Sequence, residues 1–150
     1  MDLDVAIPIE LDVWQITSEY AIIRQYDDRV NVRFRFWDDK QKEVSGKTAS
    51  ITFNGVWLMR YSRFNKTRYY PNEIEHAFYS YFLQVPNSSW IQEESAKRSQ
   101  YEKDWEKYDK REYKHYVFQN NSYYVELIAS DVVFEVIDRT SEDEWYWNHY

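Results

Sequence analysis

Between residues 30 and 37 the chain alternates strictly between apolar and polar side chains. The stretch VNVRFRFW places its apolar residues on one side: Val30, Val32, Phe34 and Phe36. A period of two predicts a strand with one buried face. The preceding YAIIRQY (20–26) predicts an antiparallel partner strand, with a turn at Asp27 and Asp28 between them.

A second hairpin is predicted where Asn54 and Gly55 separate the runs TASITF and VWLMRY. Both residues tolerate the positive φ of a two-residue turn, and this dipeptide is the strongest short hairpin signal. With the turn at this point, Phe53 pairs with Val56. The pattern therefore predicts two short strands here.

One long helix is predicted in the middle of the chain. Ser89 followed by Gln92 is typical of a helix N-terminus, and a run of good helix formers comes after them. Tyr101, Trp105 and Tyr108 recur at helical spacing. We expect this aromatic stripe to pack on a sheet.

The remaining elements are predicted to be strands. KHYVFQ and SYYVELIA flank an Asn-Asn turn, and VVFEVID predicts a further strand. Residues 71–85 fit either a helix opened by Pro71 or a strand over about 77–84, and their aromatic density favours the strand. Residues 140–150 form an acidic and aromatic C-terminal tail.

These elements predict a single globular α+β domain over residues 1–150. We expect an antiparallel β-sheet of about six to eight strands, with one long helix (about 88–113) packed on it.

Composition excludes several classes of function. The chain has no cysteine and only two glycines, which rules out disulfides, zinc–thiolate sites and glycine-rich nucleotide loops. No apolar run reaches the roughly eighteen residues of a membrane span, and the N-terminus is acidic. These features predict a cytoplasmic protein without a cofactor, a metal site or a membrane segment.

The stretch RYSRFNKTRYY concentrates positive charge in a chain whose net charge is −7. Its candidate binding residues are Arg60, Tyr61, Arg63, Phe64, Lys66, Arg68, Tyr69 and Tyr70. Cations interleaved with rings are typical of surfaces that bind single-stranded nucleic acid or another polyanion. A pI near 5.0 disfavours that interpretation, because nucleic-acid-binding domains are typically basic. The same cations fit a solvated strand and loop, or docking against the acids near the N-terminus or at 142–144.

Candidates for catalysis are weak. Glu73, Glu75 and His76 form one local cluster, while His115 and His149 stand apart. Helical spacing brings Glu73 and His76 to one face, and strand spacing does not. An enzyme that uses surface carboxylates in a cleft stays an alternative, but the sequence singles out no catalytic residue.

The C-terminal tail carries two tryptophans, Trp145 and Trp147, which alternate as residues of a strand do. Large rings are costly to leave in water. We expect both to be buried, either against the body of the protein or against another subunit of a homo-oligomer.

Aromatic residues make up 20% of the chain, and such residues are enriched at interfaces. We therefore expect a non-enzymatic binding module whose partner is another protein. A small acidic inhibitor or immunity-type protein fits this size and charge. Nucleic-acid or polyanion binding through residues 60–70 is the first alternative, and the carboxylate enzyme is the second.

Overall fold

The computed structural model describes residues 4–38, 42–63 and 81–150. Nine strands lie in these ranges: β1 (Ile7–Pro8), β2 (Trp14–Gln15), β3 (Ile22–Tyr26), β4 (Arg29–Phe34), β5 (Phe36–Trp37), β6 (Lys47–Ser62), β7 (Phe82–Val85), β8 (Lys114–Gln119) and β9 (Tyr124–Asp138). Seven of them form one antiparallel sheet in the order β1-β7-β8-β9-β6-β4-β3, and β2 pairs with β5 in a second, small sheet. The predicted antiparallel sheet is therefore confirmed.

The predicted single long helix over about 88–113 is wrong. The described residues contain three short helices: α1 (Ser89–Tyr101), α2 (Trp105–Tyr108) and α3 (Ser141–His149). The helical run stops after Tyr101, and Asp104 adopts a left-handed conformation with φ 62°. This break folds Trp105 back towards α1, where its indole N–H donates to Ser99 Oγ at 3.2 Å.

The predicted aromatic stripe fails for the same reason. Trp105 is buried, but Tyr101 and Tyr108 are 84% and 86% exposed. The helix cap also lies one residue earlier than predicted, because Ser88 Oγ accepts the Ile91 N–H at 3.1 Å.

The first predicted hairpin is confirmed. Strands β3 and β4 pair from Ile22–Arg33 to Tyr26–Arg29, and Asp27 in the turn between them has a φ of 56°. The four apolar residues of the alternating stretch are all buried. Local patterning is enough here, because two residues close the turn and one face meets the core.

The predicted hairpin at Asn54 and Gly55 is wrong. Strand β6 runs through both residues as one 16-residue strand. Strand β9 lies alongside β6 from Lys47–Asp138 to Ser62–Tyr124 and provides backbone partners for both halves. Gly55 does have the positive φ that the pattern predicted, at 59°, but it lies inside a continuous strand, two residues before a β-bulge at Trp57, instead of in a turn.

The strands predicted around the Asn-Asn turn are confirmed as β8 and the first half of β9. The stretch VVFEVID is not a separate strand, since it continues β9. Strand β7 overlaps the end of the strand predicted over about 77–84. Residues 71–80 lie outside the described residues.

The larger core fills one face of the sheet. Its biggest fully buried side chains come from five strands: Val32, Ile51, Phe53, Phe82, Phe118 and Leu127. Val30 lies opposite Phe53 in the register of β4 and β6, so the apolar side chains of these strands share one face of the sheet. The opposite face carries a second, smaller cluster and is where α1 and α3 lie.

The C-terminal tail forms a helix, so the strand suggested by the alternation of its two tryptophans is not formed. Thr140 caps α3 by accepting the Asp143 N–H at 3.1 Å. The Asp143 carboxylate then accepts one hydrogen bond each from Arg24 and Arg33, both at 2.8 Å. These contacts fix α3 on the polar face of the β3–β4 hairpin. Across the described part of the chain, no helix is long and apolar enough to cross a bilayer.

Candidate binding cleft

The cleft begins at a bulge in β6. Val56 pairs with Ala129 and Leu58 pairs with Ile128, so Trp57 is an extra residue with no partner on β9. The bulge is held by the Val56 N–H, which donates to the Asp28 carbonyl at 2.8 Å. A bulge bends its strand and redirects a side chain, and here that side chain is Trp57.

Gly55 is required beside this bulge for two reasons. Its φ of +59° is a conformation that L side chains rarely adopt, and a Cβ atom there would lie 2.1 Å from Ser130 Oγ. Ser130 Oγ in turn donates to the Asn54 carbonyl at 3.1 Å. The close approach of β9 therefore depends on the absence of a side chain at position 55.

Arg98, from the last turn of α1, packs against two tryptophan rings that also contact each other. Its guanidinium carbon is 4.3 Å from the Trp105 ring centre and 5.2 Å from the Trp57 ring centre. The two rings are themselves 5.7 Å apart, and Tyr113 lies 5.1 Å from Trp57 on the other side. Stacked cation–π contacts of this kind fix the positions of both partners.

The Asp109 carboxylate joins the two sides of this arrangement. It accepts hydrogen bonds from Tyr113 Oη at 2.6 Å, Arg98 Nη1 at 3.0 Å and the Arg111 N–H at 3.2 Å. The hydrogen bond from Tyr113 is the main cause that lowers the pKa of Asp109 below its ordinary value, although partial burial acts against it. Burial, followed by the Asp109 contact, raises the pKa of Tyr113. We call Asp109, Arg98, Tyr113, Trp57 and Trp105 the open hub.

An open cleft of about 860 Å³ lies over the open hub. Its lining is rich in rings and charged side chains: Val56, Trp57, Arg98, Glu102, Trp105, Tyr108, Asp109, Lys110, Arg111 and Tyr113. A volume of this size falls in the range of ligand-binding clefts. Tyr108 stands at the rim with most of its side chain in solvent.

A second arginine–carboxylate pair lies at the other end of α1. Glu126 is fully buried, and its carboxylate accepts Arg60 Nε at 2.7 Å and Arg60 Nη2 at 3.1 Å. His115 Nε2 lies 2.9 Å from the same carboxylate, and Arg60 lies 3.8 Å from the Trp90 ring centre. We call Glu126, Arg60, His115, Trp90 and Ser88 the closed hub.

Burial acts to raise the pKa of Glu126, but the hydrogen bonds from His115 and Arg60 outweigh it. The pKa therefore lies below its ordinary value, and the carboxylate is ionised at neutral pH. His115 Nε2 faces this carboxylate, and its Nδ1 faces the Ser88 hydroxyl.

Ser88, His115 and Glu126 follow the order hydroxyl, imidazole, carboxylate, as in nucleophilic relays. Ser88 Oγ is 2.7 Å from His115 Nδ1. The same oxygen accepts the Ile91 N–H at the start of α1, and both Ser88 and His115 are buried. The Ser88 hydroxyl thus caps a helix beneath the surface. We therefore assign a structural role to the hydrogen-bonded series Ser88, His115 and Glu126.

The predicted binding stretch 60–70 lies only partly in the described residues. Arg60 is part of the closed hub, Tyr61 is exposed and packs 5.3 Å from the Tyr123 ring, and Arg63 is exposed. The others lie outside the described residues: Phe64, Lys66, Arg68, Tyr69 and Tyr70. Binding through this stretch stays a prediction, as does any role of Glu73, Glu75 and His76, which also lie outside.

The two tail tryptophans lie in different environments. Trp147 is buried, and its indole N–H donates to the Tyr20 carbonyl at 3.1 Å. Trp145 is 49% exposed and stacks on His149, with 4.4 Å between ring centres. A role for this tail in contacting another chain remains a prediction.

The described ranges contain no group of three or more His, Cys, Asp and Glu side chains arranged to hold a metal ion. No family model, no curated protein and no solved structure matches this chain. The functional inference therefore depends on the geometry and chemistry of the site.

The cleft residues were not predicted from the sequence as a site. The aromatic stripe at Tyr101, Trp105 and Tyr108 was a signal, but we interpreted it as a buried helix face. The closed hub also had a signal in the sequence, since Glu126 is an acid within the otherwise apolar run YVELIA. A buried strand can hold such an acid only with a partner, which here is Arg60.

Proposed function

We propose that this protein is a non-catalytic binding module for another protein and that the cleft over the open hub is its binding site. The observation that carries the proposal is the contact of Arg98 with the rings of both Trp57 and Trp105. Trp, Tyr and Arg are the residue types that dominate binding energy at interfaces. They occur together here in the lining of an open cleft, although Trp105 itself is buried.

Preorganisation adds to this argument. Asp109 already holds Arg98 and Tyr113 through hydrogen bonds, so their side chains lose little further freedom when a partner binds. Rigid rings beside a cleft give contact area at a low entropy cost. The absence of cysteine in the sequence fits our proposal of a cytoplasmic location.

The nucleic-acid alternative gains no support from the described part of the basic stretch. Arg60 directs two of its N–H groups to a carboxylate of its own chain and stacks on Trp90. An overall charge of −7 also opposes the approach of a long polyanion. We therefore favour a protein partner.

The test is affinity capture from lysate of the source cell, with and without nuclease treatment, with wild type, Trp57→Ala and Trp145→Ala as baits. Trp145→Ala is a matched control, because it removes a half-exposed tryptophan from α3. We expect a discrete set of proteins on wild type and Trp145→Ala that Trp57→Ala does not retain. Thermal melting of each bait confirms that it is folded.

Equal retention by Trp57→Ala would contradict the cleft as the binding site. Loss on Trp145→Ala alone would instead identify the C-terminal tail as the interface. Complete loss on nuclease treatment would return the function to nucleic-acid binding.

A further inference from the structure

We propose that the cleft takes a short acidic segment of the partner, with one large apolar or aromatic side chain beside one or two carboxylates. This inference rests on the proposed function, and it adds the chemistry of the partner. Charge in and around the cleft is the observation that carries it.

The acids that line the cleft are already engaged. Asp109 accepts three hydrogen bonds from Tyr113, Arg98 and the Arg111 backbone. Glu102 also pairs with Arg98, at 3.5 Å, although its side chain is 61% exposed. A cationic group of a ligand would have to compete with Arg98 for both carboxylates. The lining thus holds three cations against two acids, and both acids pair with Arg98.

The cations at the rim are less engaged. Lys110 is exposed and forms no ion pair with any residue in the described ranges. The Arg111 guanidinium is half-exposed, and its nearest polar contacts are long, at 3.5 Å to Tyr113 Oη and 3.8 Å to Asp109 Oδ1. Both side chains are available to a carboxylate that enters the cleft.

The segment that carries the two rim cations has an excess of bases. The stretch KYDKREYK (107–114) contains four bases and two acids, although the whole chain carries a net charge of −7. At physiological ionic strength, charges more than about 8 Å away are largely screened. A ligand with one or two carboxylates therefore responds to the cations at the rim, while a long polyanion also meets the acidic surface beyond them.

Rings supply the apolar part of the site. Tyr108 is 86% exposed at the rim, and Trp57 is half-buried in the wall. An apolar or aromatic side chain placed between them buries area on both sides, and ring pairs gain further from offset or edge-to-face contact. The acidic segment thus requires an apolar anchor next to its carboxylates.

The test is selection of a displayed random peptide library on the wild-type protein, with counter-selection on Trp57→Ala. Peptides that bind wild type but not Trp57→Ala are cleft-dependent. We expect these peptides to be enriched in Asp or Glu next to Trp, Phe, Tyr or Leu.

Two other outcomes are distinguishable. Cleft-dependent peptides without acidic enrichment would overturn this inference and leave the proposed function standing. Cleft-independent peptides alone, or no binders, would overturn both.

A charge reversal measures the electrostatic part directly. Lys110→Glu with Arg111→Glu changes two rim residues, and we expect an enriched peptide to bind it about tenfold or more weakly than wild type at low salt. The matched control, Lys42→Glu with Lys103→Glu, makes the same change in net charge at exposed positions outside the cleft lining. Equal weakening in both variants would contradict recognition by the rim cations.

Discussion

The two hubs use the same components in reciprocal positions. In the closed hub, β6 supplies the arginine, Arg60, and α1 supplies the ring, Trp90. In the open hub, α1 supplies the arginine, Arg98, and β6 supplies the ring, Trp57. Trp57 and Arg60 are three residues apart, about 10 Å along a strand. Trp90 and Arg98 are eight residues apart, about 12 Å along a helix. Side chains of helix α1 therefore meet side chains of β6 at both points.

The hubs differ in what covers the carboxylate. Glu126 projects from the middle of a sheet and is sealed beneath the start of α1, with no exposed surface. Asp109 follows α2 on a connecting segment and remains 14% exposed beside the cleft. The arginines do not follow this order, since the Arg60 side chain is 31% exposed and the Arg98 side chain is 20% exposed. The buried carboxylate of the closed hub can act only within the fold, whereas the open hub lies beside a cleft and can present its rings and neighbouring cations to a partner. Exposure of the carboxylate and the adjacent cleft, rather than residue type, distinguish the structural hub from the candidate binding hub.

The largest effect is expected from breaking the closed hub. Arg60→Ala leaves the buried Glu126 carboxylate without its cation, and we expect the free energy of unfolding to fall by about 3–5 kcal/mol. Urea denaturation at pH 7 measures this change. The double variant Arg60→Met, Glu126→Met removes both charges and should recover more than half of the loss. A loss below about 1 kcal/mol in Arg60→Ala would show that the closed hub does not stabilise the fold.

A smaller effect is expected from the bulge that positions the open hub. Gly55→Ala places a Cβ atom 2.1 Å from Ser130 Oγ and keeps a positive φ, so we expect a loss of about 2 kcal/mol. Adding Ser130→Gly removes the clash but not the backbone strain, and should restore about half. Denaturation curves measure both variants. A neutral Gly55→Ala would mean that the bulge tolerates a side chain, contrary to this geometry.

The smallest of the three effects concerns acid. The folded-state pKa of Glu126 lies below its ordinary value of 4.5, so the unfolded chain binds the proton first. Its stabilisation is present above about pH 4.5 and is lost as the pH falls through the folded pKa. Unfolding measured from pH 7 down to pH 3 should show this loss. Glu126→Gln should be less stable at neutral pH, but its free energy of unfolding should depend less steeply on pH. An unchanged slope of stability against pH would contradict the role assigned to the Glu126 carboxylate.

Local patterns predicted the elements that depend on neighbouring residues. The β3–β4 hairpin follows from alternation and a two-residue turn, and its pairing partner is adjacent in the chain. The Asn54–Gly55 turn failed because β9, more than sixty residues later, pairs with both halves of β6. The sequence cannot show that this distant pairing outweighs a good turn signal.

The sites were harder to predict because their residues come from distant segments. Trp57, Arg98 and Asp109 meet only because β6 bulges and the helix breaks before Trp105. The break depends on the left-handed conformation of Asp104, which aspartate tolerates but does not require. Helix propensity alone therefore predicted continuity. The sequence shows which aromatic residues are present, but not which of them are exposed in the folded protein.

The most direct test of the open hub is a comparison of two exposed tyrosines. Tyr108 and Tyr101 are 86% and 84% exposed, but only Tyr108 lines the cleft. Each is replaced in turn by the photo-crosslinking amino acid p-benzoylphenylalanine, and the proteins are irradiated in lysate of the source cell. We predict a discrete protein adduct from position 108 that is absent from position 101 and is lost when Trp57→Ala is added. Equal adducts from both positions, or adducts only to nucleic acid, would contradict the cleft as a protein-binding site.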